Sequence, residues 1–152
     1  LFCNDLYQKW RMNGQENLKQ NKLTFVHNDL SLENIFVLGR EKLFVLDFEG
    51  ACYGDPAQDV GFFLAHLFLN YYHQPERKTR KAILLFWKAY LRALRFHNEI
   101  LLEKNVVAHV IFSLERLLSS KECSLDELEK LRIRELVERK KGCGRVKEMV
   151  KG

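Results

Sequence analysis

At 152 residues the chain has room for one domain with a full core and little more, and a composition that is 47% hydrophobic and 30% charged is ordinary for a globular protein. No apolar run reaches membrane-span length, the longest candidate (Val60 to Leu69) being short and interrupted by His66, and no basic region followed by an apolar stretch marks a secretory signal. The net charge of +5 suggests an anionic partner only until it is located: Arg132 to Gly152 holds eight Lys/Arg against three Asp/Glu, so the excess belongs to a tail expected to be solvated and frayed, and nucleic acid is not an expected partner.

Residues 1–20 read as a helix, with Phe2, Leu6 and Trp10 at spacings of four and Gly14 weakening the second half. Leu23-Thr24-Phe25-Val26 suits a short buried strand. Residues 35–38 and 43–46, joined by the polar segment Gly39-Arg40-Glu41-Lys42, read as a β-hairpin. Asp55-Pro56-Ala57-Gln58 is a helix start: Asp55 can cap free amides, Pro56 suits the first helical position, and Gln58 can close a capping box. The helix that follows, to about Tyr72, is apolar nearly all round and therefore belongs at the centre of the domain. Further helices are expected over 77–96, 99–119 and, after the cap residue Ser124, 125–140. The fold class predicted is mainly α with a small β-hairpin insert. Cys3, Cys52, Cys123 and Cys143 are scattered without a C-x-x-C pair, which argues for reduced structural thiols in a cytoplasmic protein rather than a zinc site or disulfide scaffold.

The chemistry-bearing residues flank the hairpin. His27, Asn28 and Asp29 leave the first strand, Asn34 immediately precedes the hairpin, and Asp47 immediately follows it. A hairpin brings its ends together, so Asn34 and Asp47 are expected to be close, with Asp29 facing the same cavity. Three oxygen-bearing side chains converging on one cleft is what a hard cation such as Mg²⁺ requires. Glu49, two residues after Asp47, points to the same side if the backbone is extended, and is a further candidate ligand. His66 and Asn70 continue the face of Asp59 at helical spacing, as either a polar seam or a substrate contact.

His27-Asn28-Asp29-Leu30-Ser31-Leu32-Glu33-Asn34, followed after a hairpin by Asp47, resembles the catalytic-loop and metal-loop pair of the protein-kinase-like fold. Within it, Asp47-Phe48-Glu49 and Tyr53-Gly54-Asp55-Pro56-Ala57-Gln58-Asp59-Val60-Gly61 are similar to the Asp-x-Glu loop and Gly-Asp-Pro-x-x-Asp helix start of the aminoglycoside phosphotransferase / choline kinase-like family. The similarity runs from about Phe25 to Tyr72. It implies an ATP-dependent phosphotransferase acting on a hydroxyl of a small molecule, with Asp29 as catalytic base, Asn34, Asp47 and Glu49 as metal ligands, and His27 and Asp59 supporting the catalytic loop. ATP and Mg²⁺ are the implied cofactors. Only seven residues separate Asp47 from Asp55, too few for a regulated activation segment, and Asn28 and Ser31 stand where protein kinases have Arg and Lys. Both departures point away from a protein kinase.

The resemblance also implies an N-terminal lobe with a phosphate-covering loop, and the 26 residues before His27 hold no glycine-rich loop. The expected organisation is a kinase-like C-terminal lobe over 1–140 (catalytic and metal loops 25–60, helical subdomain 61–140) and a basic tail over 141–152. On this reading the N-terminal nucleotide-binding lobe is a missing partner, and the chain alone has little or no activity. The alternative is a non-catalytic kinase-like lobe acting as an interaction module. Acceptors in the group range over aminoglycosides, choline, methylthioribose and homoserine, and the excess of Lys/Arg over Asp/Glu in 77–119 tilts away from aminoglycosides.

Overall fold

A computed structural model describes residues 23–94, 99–121 and 123–151. The helix expected over 1–20, with Trp10, lies outside them. Strand β1 (Thr24–Val26) forms where expected but does not stand alone. It pairs antiparallel with β4 (Cys52–Gly54), in the register Thr24 opposite Gly54 and Val26 opposite Cys52. Nothing in the short, glycine-containing segment 52–54 signals a strand, and its extended form comes from the partner it finds. Strands β2 (Ile35–Leu38) and β3 (Lys42–Val45) make the hairpin, with Ile35 opposite Val45 and Leu38 opposite Lys42. Its turn passes through Gly39 at φ 67°, a left-handed conformation that glycine adopts without a Cβ penalty. The β structure is thus two small antiparallel sheets rather than one hairpin insert.

The rest of the described chain is helical: α1 (Pro56–His73), α2 (Arg77–Ala93), α3 (Glu99–Ser119), α4 (Glu127–Lys140) and the short α5 (Val146–Met149). Helix α1 is the central element. Val60, Leu64, Ala65 and Phe68 are buried, and they meet Val106, Val107, Val110 and Leu114 of α3 in one core cluster. Gly61 sets how near the two helices lie, since a Cβ there would fall 2.3 Å from the Cβ of His109 and 3.1 Å from the Val106 carbonyl oxygen. Ile83 and Trp87 of α2 and Ile133 and Val137 of α4 complete the core.

The expected capping box at 55–58 is not closed. Asp55 accepts from the Ala57 amide at 2.9 Å, but the Gln58 side chain turns to Asn28 instead. A full capping box forms at α4, where Asp126 and Glu129 cap each other's amides. That helix begins two residues later than the Ser124 signal suggests.

The stretch after Lys140, expected to fray, is docked. Val146, Met149 and Val150 are at most 2% exposed and sit in the core cluster. The Tyr72 and Tyr71 hydroxyls donate to the carbonyls of Met149 and Val150, and Glu103 accepts from the Val146 amide and from the indole of Trp87. The basic run serves this docking: Lys140 donates to the Glu148 and Lys151 carbonyls, and Lys141 pairs with Glu115 and Glu138. The charge count missed it because three well-spaced apolar side chains outweigh a basic surround. Among the described residues no helix is long and apolar enough to cross a membrane, and Cys52, Cys123 and Cys143 are free thiols.

Candidate active site

The loop from His27 to Asn34 leaves β1 and is held from below by the first turn of α1. Asp59 accepts the backbone N–H of His27 at 2.6 Å on one carboxylate oxygen and that of Asn28 at 2.8 Å on the other. An acidic group in a first helical turn also has the favourable end of the helix dipole beneath it. Asn28 bends through φ 70°, a left-handed turn that Asn tolerates better than most residues, and its side-chain oxygen is held by Gln58.

His27 is 4% exposed, and both ring nitrogens are engaged. Nε2 donates to the Leu46 carbonyl at 2.7 Å, and Nδ1 accepts from the Asp29 amide at 3.3 Å, a pairing that fixes the Nε2–H tautomer. The Phe48 ring packs against the imidazole with centroids 4.6 Å apart. One buried side chain therefore ties the loop, the end of the hairpin and the Asp47-Phe48-Glu49 segment together.

The hairpin closes as its sequence suggests. The Leu46 amide donates to the Asn34 carbonyl at 2.9 Å, one residue beyond the β2–β3 ladder. Asn34 Nδ2 donates to the Asp29 carbonyl at 3.0 Å and to the Asp29 carboxylate at 3.2 Å, which orients that carboxylate and leaves the Asn34 side-chain oxygen for another partner. The segment after Asp47 is not extended. Phe48–Gly50 is a tight 3-10 turn, and Asp47 precedes it at φ 64°, ψ 61° with no side-chain cap. Glu49 reaches the side of Asp47 through this turn rather than through strand alternation.

Two cavities open on this constellation. The smaller, about 380 Å³, is lined by Asp29, Asp47, Glu49 and Gly50. Asn34 stands behind it, one hydrogen bond away through Asp29. The larger, about 530 Å³, lies between the loop, α1 and the end of α3, and its lining includes Asp29, Glu33, Phe62, His66, Asn70 and Arg116. Asp29 is the residue common to both. Among the described residues no three His, Cys, Asp or Glu side chains are gathered tightly enough to hold an ion by themselves. The donor set nevertheless suits Mg²⁺, which keeps several waters and is commonly held by one or two carboxylates together with substrate phosphates.

At the cap that precedes α1, Asp55 is buried, and Asn105 of α3 donates to its second carboxylate oxygen at 3.2 Å. Burial raises its pKa, opposed by the Ala57 amide and Asn105. Burial likewise lowers the pKa of His66 and takes that of His109, packed against Gly61, down to about 4. The sequence reading missed Glu33 and Arg116 as lining residues, and Asn105 as support. Glu33 sits inside the catalytic-loop stretch at a position given no role there, whereas Asn105 and Arg116 belong to no motif, and Arg116 lies more than eighty residues from Asp29.

A model of the phosphotransferase enzyme family designated APH matches residues 5–97, more than half of the chain, from before the catalytic loop to the end of α2. No curated protein and no solved structure gives a significant match.

Proposed function

The chain belongs to the phosphotransferase enzyme family, whose members are of kinase-like type, and from that premise we propose that it transfers the γ-phosphate of ATP to a hydroxyl of a small molecule. The observation that carries this reading is the position of Asp29, which lines the carboxylate-rich cavity of Asp47 and Glu49 on one side and the larger cavity on the other. A general base must sit between the phosphate donor and the hydroxyl it deprotonates.

In this reading Asp29 accepts the proton of the acceptor hydroxyl as the oxygen attacks phosphorus. Asn34 keeps the Asp29 carboxylate aimed, and Asp47, Glu49 and the Asn34 side-chain oxygen hold the cation. Mg²⁺ bound there supplies charge neutralisation for the nucleotide phosphates. His27 acts as a post: with both ring nitrogens already engaged, it has none left to exchange a proton with substrate. Asp59 locks the loop backbone.

The exposed surface of the hairpin is what supports the reading that a second lobe covers this site. Phe36, Val37, Leu38, Leu43 and Phe44 are each about half exposed or more, an apolar surface on both faces of a two-stranded sheet. A cluster of that kind is normally covered by protein. The same surface would serve a non-catalytic interaction module, and kinetics separate the two readings. In the two-lobed protein Asp29→Asn is expected to lower kcat by about two to four orders of magnitude with the KM for ATP little changed. Near-normal turnover by that variant would remove Asp29 from the role of base.

A further inference from the structure

The larger cavity is chemically lopsided. Asp29 and Glu33 stand on the catalytic-loop side, while Phe62, His66 and Arg116 line the helical side. The Arg116 guanidinium lies over the Phe62 ring, 5.3 Å from its centroid, and the His66 ring meets the same phenyl edge-on at 5.0 Å. Phe62 is itself nearly buried, so it holds both polar groups in place against the cavity. Arg116 has no carboxylate partner among the described residues, and the adjacent Glu115 is taken by Lys141. His66 Nε2 is buried with no hydrogen-bond partner. A buried ring nitrogen left unpaired costs free energy, unless a bound molecule satisfies it. His66 lines the same cavity as Glu33, Asp29 and Arg116.

We propose that this helical wall recognises an anionic group on the acceptor: Arg116 pairs with a carboxylate or phosphate, His66 Nε2 hydrogen-bonds an oxygen of the same molecule, and the reacting hydroxyl lies toward Asp29. The inference rests on the phosphotransfer reading and deepens it. It defines the acceptor as a small hydroxyl compound carrying negative charge, of a size that about 530 Å³ admits. A cationic amino alcohol would place its ammonium against an uncompensated guanidinium or crowd it beside the base. A neutral polyol would leave Arg116 without its partner.

Binding of four probes on one carbon skeleton tests this without nucleotide or metal: glycerol phosphate, glycerate, glycerol and aminopropanediol, followed by saturation-transfer NMR on the full chain. The two anions are expected to bind, with their relative affinity showing whether phosphate or carboxylate is preferred, and the neutral and cationic probes are not. Arg116→Gln should weaken anion binding about tenfold, Arg116→Lys should restore part of it, and His66→Gln should cost less. Arg116 is exposed, so its two variants are expected to melt as the parent does. Equal or tighter binding of aminopropanediol, or the absence of Arg116-dependent binding by either anion, overturns the proposal. In parallel, Asp47→Gly should leave anion binding unchanged while removing magnesium-dependent nucleotide binding. Magnesium-dependent nucleotide binding that is absent from the parent or untouched by Asp47→Gly would sink the phosphotransfer reading, whereas failure of Arg116-dependent anion binding alone would sink only the acceptor assignment.

Discussion

Asp47 is a residue whose backbone and side chain have opposed requirements. Its carboxylate faces the small cavity, yet its φ of 64° lies in the left-handed region, where a side chain costs about 1–2 kcal/mol and Asp somewhat less. No side-chain cap offsets this. Removing the carboxylate with Asp47→Ala keeps the strain, whereas Asp47→Gly releases it. The glycine variant is therefore expected to unfold at higher denaturant than the alanine variant, by about 1 kcal/mol, and the reverse order would refute the strain. That Asp29, Asn34 and Asp47 come together was legible in the sequence, because they flank one hairpin within a short stretch. It gave the wrong route for Glu49, since a 3-10 turn and a strand end look alike over three residues. Arg116 was invisible to it as a lining residue, because what brings it to the cavity is the packing of α3 on α1, and Glu33, although inside the loop stretch, carried no signal of its own.

Helix α1 carries the site at its first turn and the core along its length, so its packing against α3 decides whether the loop stays in place. The polar residues on that contact, Asn105, His109 and Ser113, are all buried and recur at helical spacing on α3. His109 is the sensitive one. Its pKa is near 4 in the fold against about 6.5 unfolded, so the unfolded chain binds the extra proton first. No acid destabilisation from this group acts above about pH 6.5; it grows as the pH falls and reaches on the order of 3 kcal/mol near pH 4. Urea unfolding of the parent and of His109→Gln should thus diverge between about pH 7 and pH 4.5, with the variant losing less stability. His66 shifts in the same direction, but it is present in both proteins and cancels. Parallel pH profiles would mean that His109 is not buried as a neutral ring. The helices were the easiest elements to read, since α1 is apolar nearly all round and α2 and α3 carry periodic faces. The pairing of β1 with β4 was not readable, because 52–54 acquires its strand form from a neighbour.

For the molecule as a whole, the last dozen residues show most clearly how charge counting misleads. A surplus of lysine and arginine suggests a solvated tail, yet Val146, Met149 and Val150 close the bottom of the core, and the basic side chains hold the segment down. Deleting residues 145–152 is expected to cost roughly 5 kcal/mol, from three buried side chains at about 1.5–3 kcal/mol each, less the entropy of ordering the segment. Thermal unfolding should lose its cooperativity or shift down by many degrees, and an unchanged melt would restore the frayed tail. The exposed apolar hairpin leads directly into Asp47, which lines the cavity with Asp29 and Glu49. Phosphotransfer requires that cavity to hold a cation and nucleotide phosphates. The most direct measurement is therefore a titration of the isotope-labelled chain with Mn²⁺ and ATP, read as paramagnetic broadening residue by residue. Broadening centred on 47–50 and 29–34, and lost in Asp47→Gly, is the result expected. Broadening centred elsewhere, or unchanged by that substitution, would contradict the assignment of the site.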